Sequence, residues 1–225
     1  MARIKDSLIG IIVGKIGRVV YRLRNGKVVA YHLPGMYNIS HTKEAEDSRQ
    51  NFSASVQLAV VLRKDPVLKQ IWEHAAIDAS SAYHKMMSYN NRRTHEQDLT
   101  LQNAITPPSV PLQIDSAAIN NSAVEFILGR QTKNCNDVLS LPFSFYVCLY
   151  AYIPHTTANE RFKIVLNSIE VKESPFSSLF SLPLSKNGLT AISQYTRHNI
   201  YIAAARLSSH SKACLWTSTC SAELS

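Results

Sequence analysis

Acidic side chains are almost missing from the first 30 positions of this 225-residue chain, where Asp6 stands alone against Arg3, Lys5, Lys15, Arg18, Arg22, Arg24 and Lys27. That stretch therefore holds +6 of the formal +8, and the other 195 residues carry +2. Glycine is scarce as well: four of the seven, Gly10, Gly14, Gly17 and Gly26, crowd into the same stretch. Cysteine is scarcer still. Cys135, Cys148, Cys214 and Cys220 are too few for a disulfide scaffold in a chain of this length, and reduced thiols are expected. Cys148 sits in an apolar run and reads as a small buried hydrophobe. Cys214 and Cys220, six apart, share a strand face but cannot bridge each other without a bend.

Long hydrophobic runs are also lacking, and no segment approaches a membrane span. Residues 8–13 are too short for a secretory signal, are broken by Gly10, and precede no small-residue cleavage site. Synthesis in the cytoplasm without a secretory signal is expected, with a final place in an assembly, viral or cell-associated. The motifs of local chemistry are missing too. A phosphate-binding loop needs four residues between its glycines and then Lys with Ser or Thr, whereas Gly10 and Gly14 enclose three and Ile16 follows Lys15. No Cys-x-x-Cys, His-x-x-x-His or Gly-x-Ser-x-Gly occurs. His210, Cys214 and Cys220 match no zinc spacing, and Glu170 with Glu173 reads as a solvated strand end. No cofactor or metal is expected, and no catalytic residue is assigned.

What is present is ordinary globular composition, 45% hydrophobic and 18% charged, with a pI near 9.4 that favours an anionic partner. The sharpest local signal is Asn25-Gly26, the preferred dipeptide of a two-residue type I′ turn, which predicts a hairpin over residues 17–33. Centring the turn there pairs Arg24 with Lys27, Arg22 with Val29, Val20 with Tyr31 and Arg18 with Leu33. One face then carries Arg18, Arg22, Arg24 and Lys27 around Val20, Val29 and Tyr31. The other carries Val19, Tyr21, Leu23, Val28 and Ala30, with His32 at its end. Like charges opposite each other are unfavourable, so a neutralising partner would be favoured.

After Pro34-Gly35, Ser40 or Thr42 can cap a helix whose first turn holds Glu44, Glu46 and Asp47. Asp65-Pro66 predicts a second helix, with Asp65 as cap and Pro66 at the first helical position. Its apolar stripe runs Leu68, Ile71 and Trp72, Ala75, Ala79, Ala82 and Tyr83, Met86, as half of a helical hairpin ending near Asn90-Asn91. Thr106-Pro107-Pro108-Ser109-Val110-Pro111 reads as an extended linker. Beyond it, residues 124–128, 143–153, 161–171, 198–207 and 212–220 read as strands, punctuated by Gly129, several prolines and Asn187-Gly188. The expected fold is α+β: a basic hairpin arm over 1–35, a helical region over 36–105, a linker over 106–111, and an antiparallel β-sandwich without intervening helices over 112–225.

Gly14-Lys15-Ile16-Gly17-Arg18-Val19-Val20, then Asn25-Gly26-Lys27-Val28-Val29 and Pro34, resembles a family of uncharacterised proteins of Bacteroidota-type bacteria. Its members open with Gly-Lys-Ile-Gly, a short Gly-Lys turn and a proline, continue in a helical stretch and finish in a β-rich domain. Phe52 falls where a family aromatic enters the first helix, and Trp216-Thr217-Ser218 resembles the family's last strand. Tyr31-His32-Leu33 departs from the pattern, since an arginine is more usual before the proline. The resemblance implies an architecture and no activity.

The function expected first is a non-enzymatic subunit that self-associates or joins a larger particle, such as a virion, filament or shell. Its hairpin would present strand edges to a neighbour. Val19, Tyr21, Leu23 and Val28 would pack there, while Arg18, Arg22, Arg24 and Lys27 steer. The alternative is nucleic-acid binding through the same arm. Arg92-Arg93 beside Tyr89 and His95 is a lesser candidate for phosphate, with Tyr89 stacking. A carbohydrate platform on Tyr150, Tyr152, Tyr195, Tyr201 and Trp216 ranks last.

Overall fold

The computed structural model describes residues 2–4 (backbone), 13–24, 26–33, 35, 40–120, 122–155, 160–172, 178–207 and 214–224. Two compact units divide the chain, Met1–Thr42 and Lys43–Ser225.

The first unit is an antiparallel sheet of β1 (Ala2–Ile4), β2 (Gly14–Ile16), β3 (Val19–Arg24) and β4 (Lys27–His32), in the order β1-β4-β3-β2. The β3–β4 register is the one the turn dipeptide predicts, from Arg24 opposite Lys27 to Val20 opposite Tyr31. Leu33 N–H donates to the Arg18 carbonyl at 2.6 Å, which extends the ladder one step. Gly26 has φ +72°, as the turn demands; Asn25 lies outside the described residues. The expectation of two free hairpin edges is corrected. β1 pairs along Val28 to Ala30 and β2 along Val19 to Tyr21, so both edges of the hairpin are covered. For β2 the reason is Gly17, at φ +58°, which reverses the chain tightly enough for Ile16 to stand opposite Val19.

The second unit opens with α1 (Lys43–Leu62), α2 (Pro66–His74) and α3 (Ala82–Asn91), then a small hairpin of β5 (Thr94–His95) and β6 (Asp98–Leu99). Asp65 caps α2 as predicted, its Oδ1 accepting from the Val67 and Leu68 N–H groups at 2.9 Å each. The single second helix drawn from the apolar stripe is corrected, because the chain breaks between His74 and Ala82. Lys85 Nζ donates to the Glu73 and Ala75 carbonyls, and Ser81 caps α3. Asp78, Ser80 and Ser81 there compete for the backbone and favour caps over helix interior.

There follow β7 (Ile114–Asn120), β8 (Ala123–Leu128), α4 (Lys133–Val138), β9 (Phe143–Pro154), β10 (Phe162–Val171), β11 (Leu179–Pro183), α5 (Lys186–Gln194), β12 (Tyr195–Leu207), β13 (Cys214–Trp216) and β14 (Cys220–Leu224). The chain is an α+β protein with antiparallel sheets. Its central sheet runs β10-β9-β12, and β13 and β14 both pair with β12. A smaller sheet, β11-β8-β7, faces it. Two helices absent from the expectation intervene between strands. Asn187-Gly188, read as strand punctuation, lies in the first turn of α5, where Ser185 caps through the Gly188 N–H.

The central sheet is buried on both sides, which explains its unbroken apolar runs. Tyr146, Cys148, Tyr150 and Tyr201 face Leu58, Leu62, Ile71, Trp72 and Met86 of the helices. Phe145, Val147, Leu149, Ile200 and Ile202 face Val124, Phe126 and Leu182 of the small sheet and Ala191 of α5. Helices, central sheet and small sheet thus form three layers around two cores. The segment predicted as a linker is tied down across them. Ile105 and Thr106 N–H donate to Thr219 Oγ1 at 3.0 Å each, and Trp216 Nε1 donates to the Pro107 carbonyl at 3.1 Å.

Candidate functional site

Seven of the eight residues singled out in the N-terminal arm lie on one sheet, and its register sorts them by face. Successive side chains of a strand alternate, so the Lys15–Val20–Tyr31 row, the Arg22–Val29 row and the Arg24–Lys27 pair share one side. Val19 with His32, Tyr21 with Ala30 and Leu23 with Val28 share the other, continued by Ile16. Arg18 sits in the turn between β2 and β3. Lys15 is the addition the hairpin alone did not reveal; Gly17, read as a second tight turn, would have exposed it.

Arg18, Arg22, Arg24 and Lys27 are exposed, and no carboxylate among the described residues pairs with any of them. Arg22 lies over the Tyr31 ring, 5.7 Å from its centroid. The opposite side is only half covered. Val19, Tyr21 and Val28 are half-buried, Leu23 is 48% and Ile16 59% exposed, and none of the residues of this unit whose side chains are described is buried. Large apolar side chains left in water on one face of a four-stranded sheet mark a surface that gains from a partner.

The other candidates resolve differently. Arg93 lies over the Tyr89 ring, 3.7 Å from its centroid, and donates to the Tyr89 carbonyl, which ties both side chains to the end of α3. Tyr150, Tyr195 and Tyr201 are buried, which removes most of the carbohydrate platform. Glu170 pairs with Lys172 at 3.2 Å in solvent; Glu173 and His210 lie outside the described residues. All four cysteines are free thiols. Burial pushes Cys148 up to about 12 and Cys214 up to about 11, which keeps both neutral and weakly nucleophilic.

Two clefts in the larger unit are lined in part by polar and titratable side chains. One, of about 350 Å³, lies between α1 and the start of β10, lined by Gln50, Ser53, Gln57, Glu160, Arg161 and Phe162. Its arginine is committed: it bonds Gln50 Oε1 and pairs with Asp98 at 3.3 Å, and Asp98 in turn accepts from Tyr150 Oη at 2.5 Å. Beside it the β5–β6 turn carries Glu96 and Gln97 at φ +48° and +71°, a conformation L side chains disfavour. Asn51 and Asp47 of α1 hold that turn through the Gln97 N–H and Nε2. Among the described residues, no group of three His, Cys, Asp or Glu side chains could hold a metal.

The other cleft, about 540 Å³, runs along the outer edge of β7 and reaches Ile192, His198 and Glu223. His198 is 9% exposed, and its Nε2 finds no hydrogen-bond partner among the described residues. Burial holds its pKa below the ordinary 6.5, opposed by a hydrogen bond to the Ala191 carbonyl. The folded chain therefore binds fewer protons here than the unfolded chain. Stability is full above about 6.5 and falls as pH drops through the lowered folded value. His198→Phe should flatten the pH 5–7 part of a melting-temperature profile. An unchanged slope in that variant would assign the acid sensitivity elsewhere.

Compared with family models, with curated proteins and with solved structures, the chain matches none.

Proposed function

We propose that this chain is a non-enzymatic structural subunit that joins copies of itself, or other subunits of a larger particle such as a virion, filament or shell, through its N-terminal sheet. The observation that carries the reading is the half-open apolar side of that sheet. Ile16, Val19, Tyr21, Leu23 and Val28 line one face of a unit in which no residue with a described side chain is buried. Covering those side chains is worth on the order of 1 kcal/mol each toward such a contact. The cations stand on the other side. Their long-range field speeds the approach to an acidic neighbour while they stay hydrated.

Light scattering coupled to size exclusion tests the reading. Deleting residues 1–35 should leave a folded monomer, because both buried cores belong to residues 43–225. Leu23→Glu, at an exposed position, should dissociate the full chain in the same way. An assembly of unchanged size in both variants refutes the proposal.

A further inference from the structure

Docking through the apolar side leaves the opposite side of the sheet in water, and that side is unusual in its charge. From residue 7 to residue 42 the chain has no acid at all, yet it carries Lys15, Arg18, Arg22, Arg24 and Lys27. The strand register sets Lys15, Arg22, Arg24 and Lys27 on a single face, and Arg24 directly opposes Lys27. Like charges opposed across a ladder destabilise the sheet, and each of these side chains is exposed and unpaired with any described carboxylate. A fold has little to gain from such an arrangement. A polyanion crossing the face relieves the repulsion and releases its own counterions.

From this we infer that the cationic face binds single-stranded nucleic acid along its phosphodiester backbone, with Tyr31 offering one ring to a base. Two features select this ligand. Arg22 and Arg24 recur two residues apart, about 6.8 Å along the strand, a repeat that suits successive phosphates of an extended chain. Tyr31 lies in the same face, half-buried, with the Arg22 guanidinium above its ring, so a stacking surface stands beside the phosphate contacts. Duplex is disfavoured by width. A two-stranded ribbon enters a major groove about 12 Å wide, but strands about 4.8 Å apart make a sheet of this many strands, with its side chains, too broad. The inference does not depend on the assembly reading, because it uses the other side of the sheet.

The experiment is fluorescence anisotropy of the full chain with a labelled oligothymidylate about 20 nucleotides long, from about 50 to about 200 mM salt. Four phosphate contacts predict a log–log salt slope of about −3, a loss of about 50-fold over that range. Arg22→Ala with Arg24→Ala removes two contacts and should bring the slope to about −1.4, while the oligomeric size stays as in the parent. Tyr31→Leu should weaken binding about tenfold with the slope unchanged. Lack of binding at the lowest salt overturns the inference. So does a slope that the arginine variant leaves intact, or binding to duplex or to heparin that is tighter than to the oligothymidylate. A full-length parent chain that binds the oligothymidylate yet stays monomeric would instead count against the docking role of the apolar side alone.

Discussion

Trp72→Ala should lower the unfolding free energy by about 4 kcal/mol. Trp72 is fully buried in α2, packs edge-on against Tyr89 with ring centroids 5.7 Å apart, and shares a core with Leu68, Ile71, Met86 and Tyr201. Truncation leaves a cavity as large as an indole between the helices and the central sheet. It also strips the Ile105 carbonyl of the indole N–H that reaches it at 2.8 Å. Domains of this kind are stable by about 5–15 kcal/mol, so the variant sits near the edge of folding. Trp72→Phe keeps most of the ring and loses the hydrogen bond; it should cost about 1–2 kcal/mol. Urea unfolding followed by circular dichroism measures both. Equal losses in the two variants would mean that the hydrogen bond, and not the packing, holds this corner.

The second large effect is expected at Asn90, a residue no hydrophobic pattern marks. It lies buried at the end of α3 and ties that helix to the strap that follows. Its Nδ2 donates to the Met86 and Ala104 carbonyls at 3.1 and 3.0 Å, and its Oδ1 accepts from the Ala104 N–H at 2.7 Å. Thr94 Oγ1 and Asn103 Nδ2 both donate to the Asn90 carbonyl, and Thr94 reaches Ser55 of α1 at 2.9 Å. Asn90→Leu is similar in volume but leaves the Ala104 N–H and carbonyl without their partner. Each orphaned group costs about 1–3 kcal/mol, so a loss of about 3 kcal/mol is expected in the same denaturant titration. Because Trp72 and Asn90 grip adjacent residues of one segment, the double variant should lose less than the two single losses added together. Strict additivity would show that the two anchors act independently.

The parts of the fold legible in the sequence are those with a local cause. Asn25-Gly26 set the hairpin register without error, and Asp65-Pro66 placed the start of α2, because turn and cap chemistry act within a few residues. Residues 143–153 were legible as a strand from their β-branched and aromatic content, while the burial of both its faces came only with its two packing layers. What the sequence hid was decided at long range. Thr106 to Pro111 has the composition of a free linker, yet partners more than a hundred residues away hold it. β7, with its small and polar Asp115-Ser116-Ala117-Ala118, carries little strand propensity and pairs because β8 offers an edge. α5 hid behind Asn187-Gly188, a dipeptide that here only follows a serine cap. The candidate site was legible in its cations and its two faces. Covering of the hairpin edges was not, since the β1 pairing joins residues at the two ends of the unit.

The central claim is that the apolar side of the N-terminal sheet is occupied in the protein's working state. Hydroxyl-radical footprinting of the assembled full chain, set against the same chain dissociated to monomer, reads that side chain by side chain. Ile16, Tyr21 and Leu23 should be labelled several times less in the assembly, with Tyr31 on the far side unchanged when no nucleic acid is present. Equal labelling of Ile16, Tyr21 and Leu23 in the two states would contradict the account.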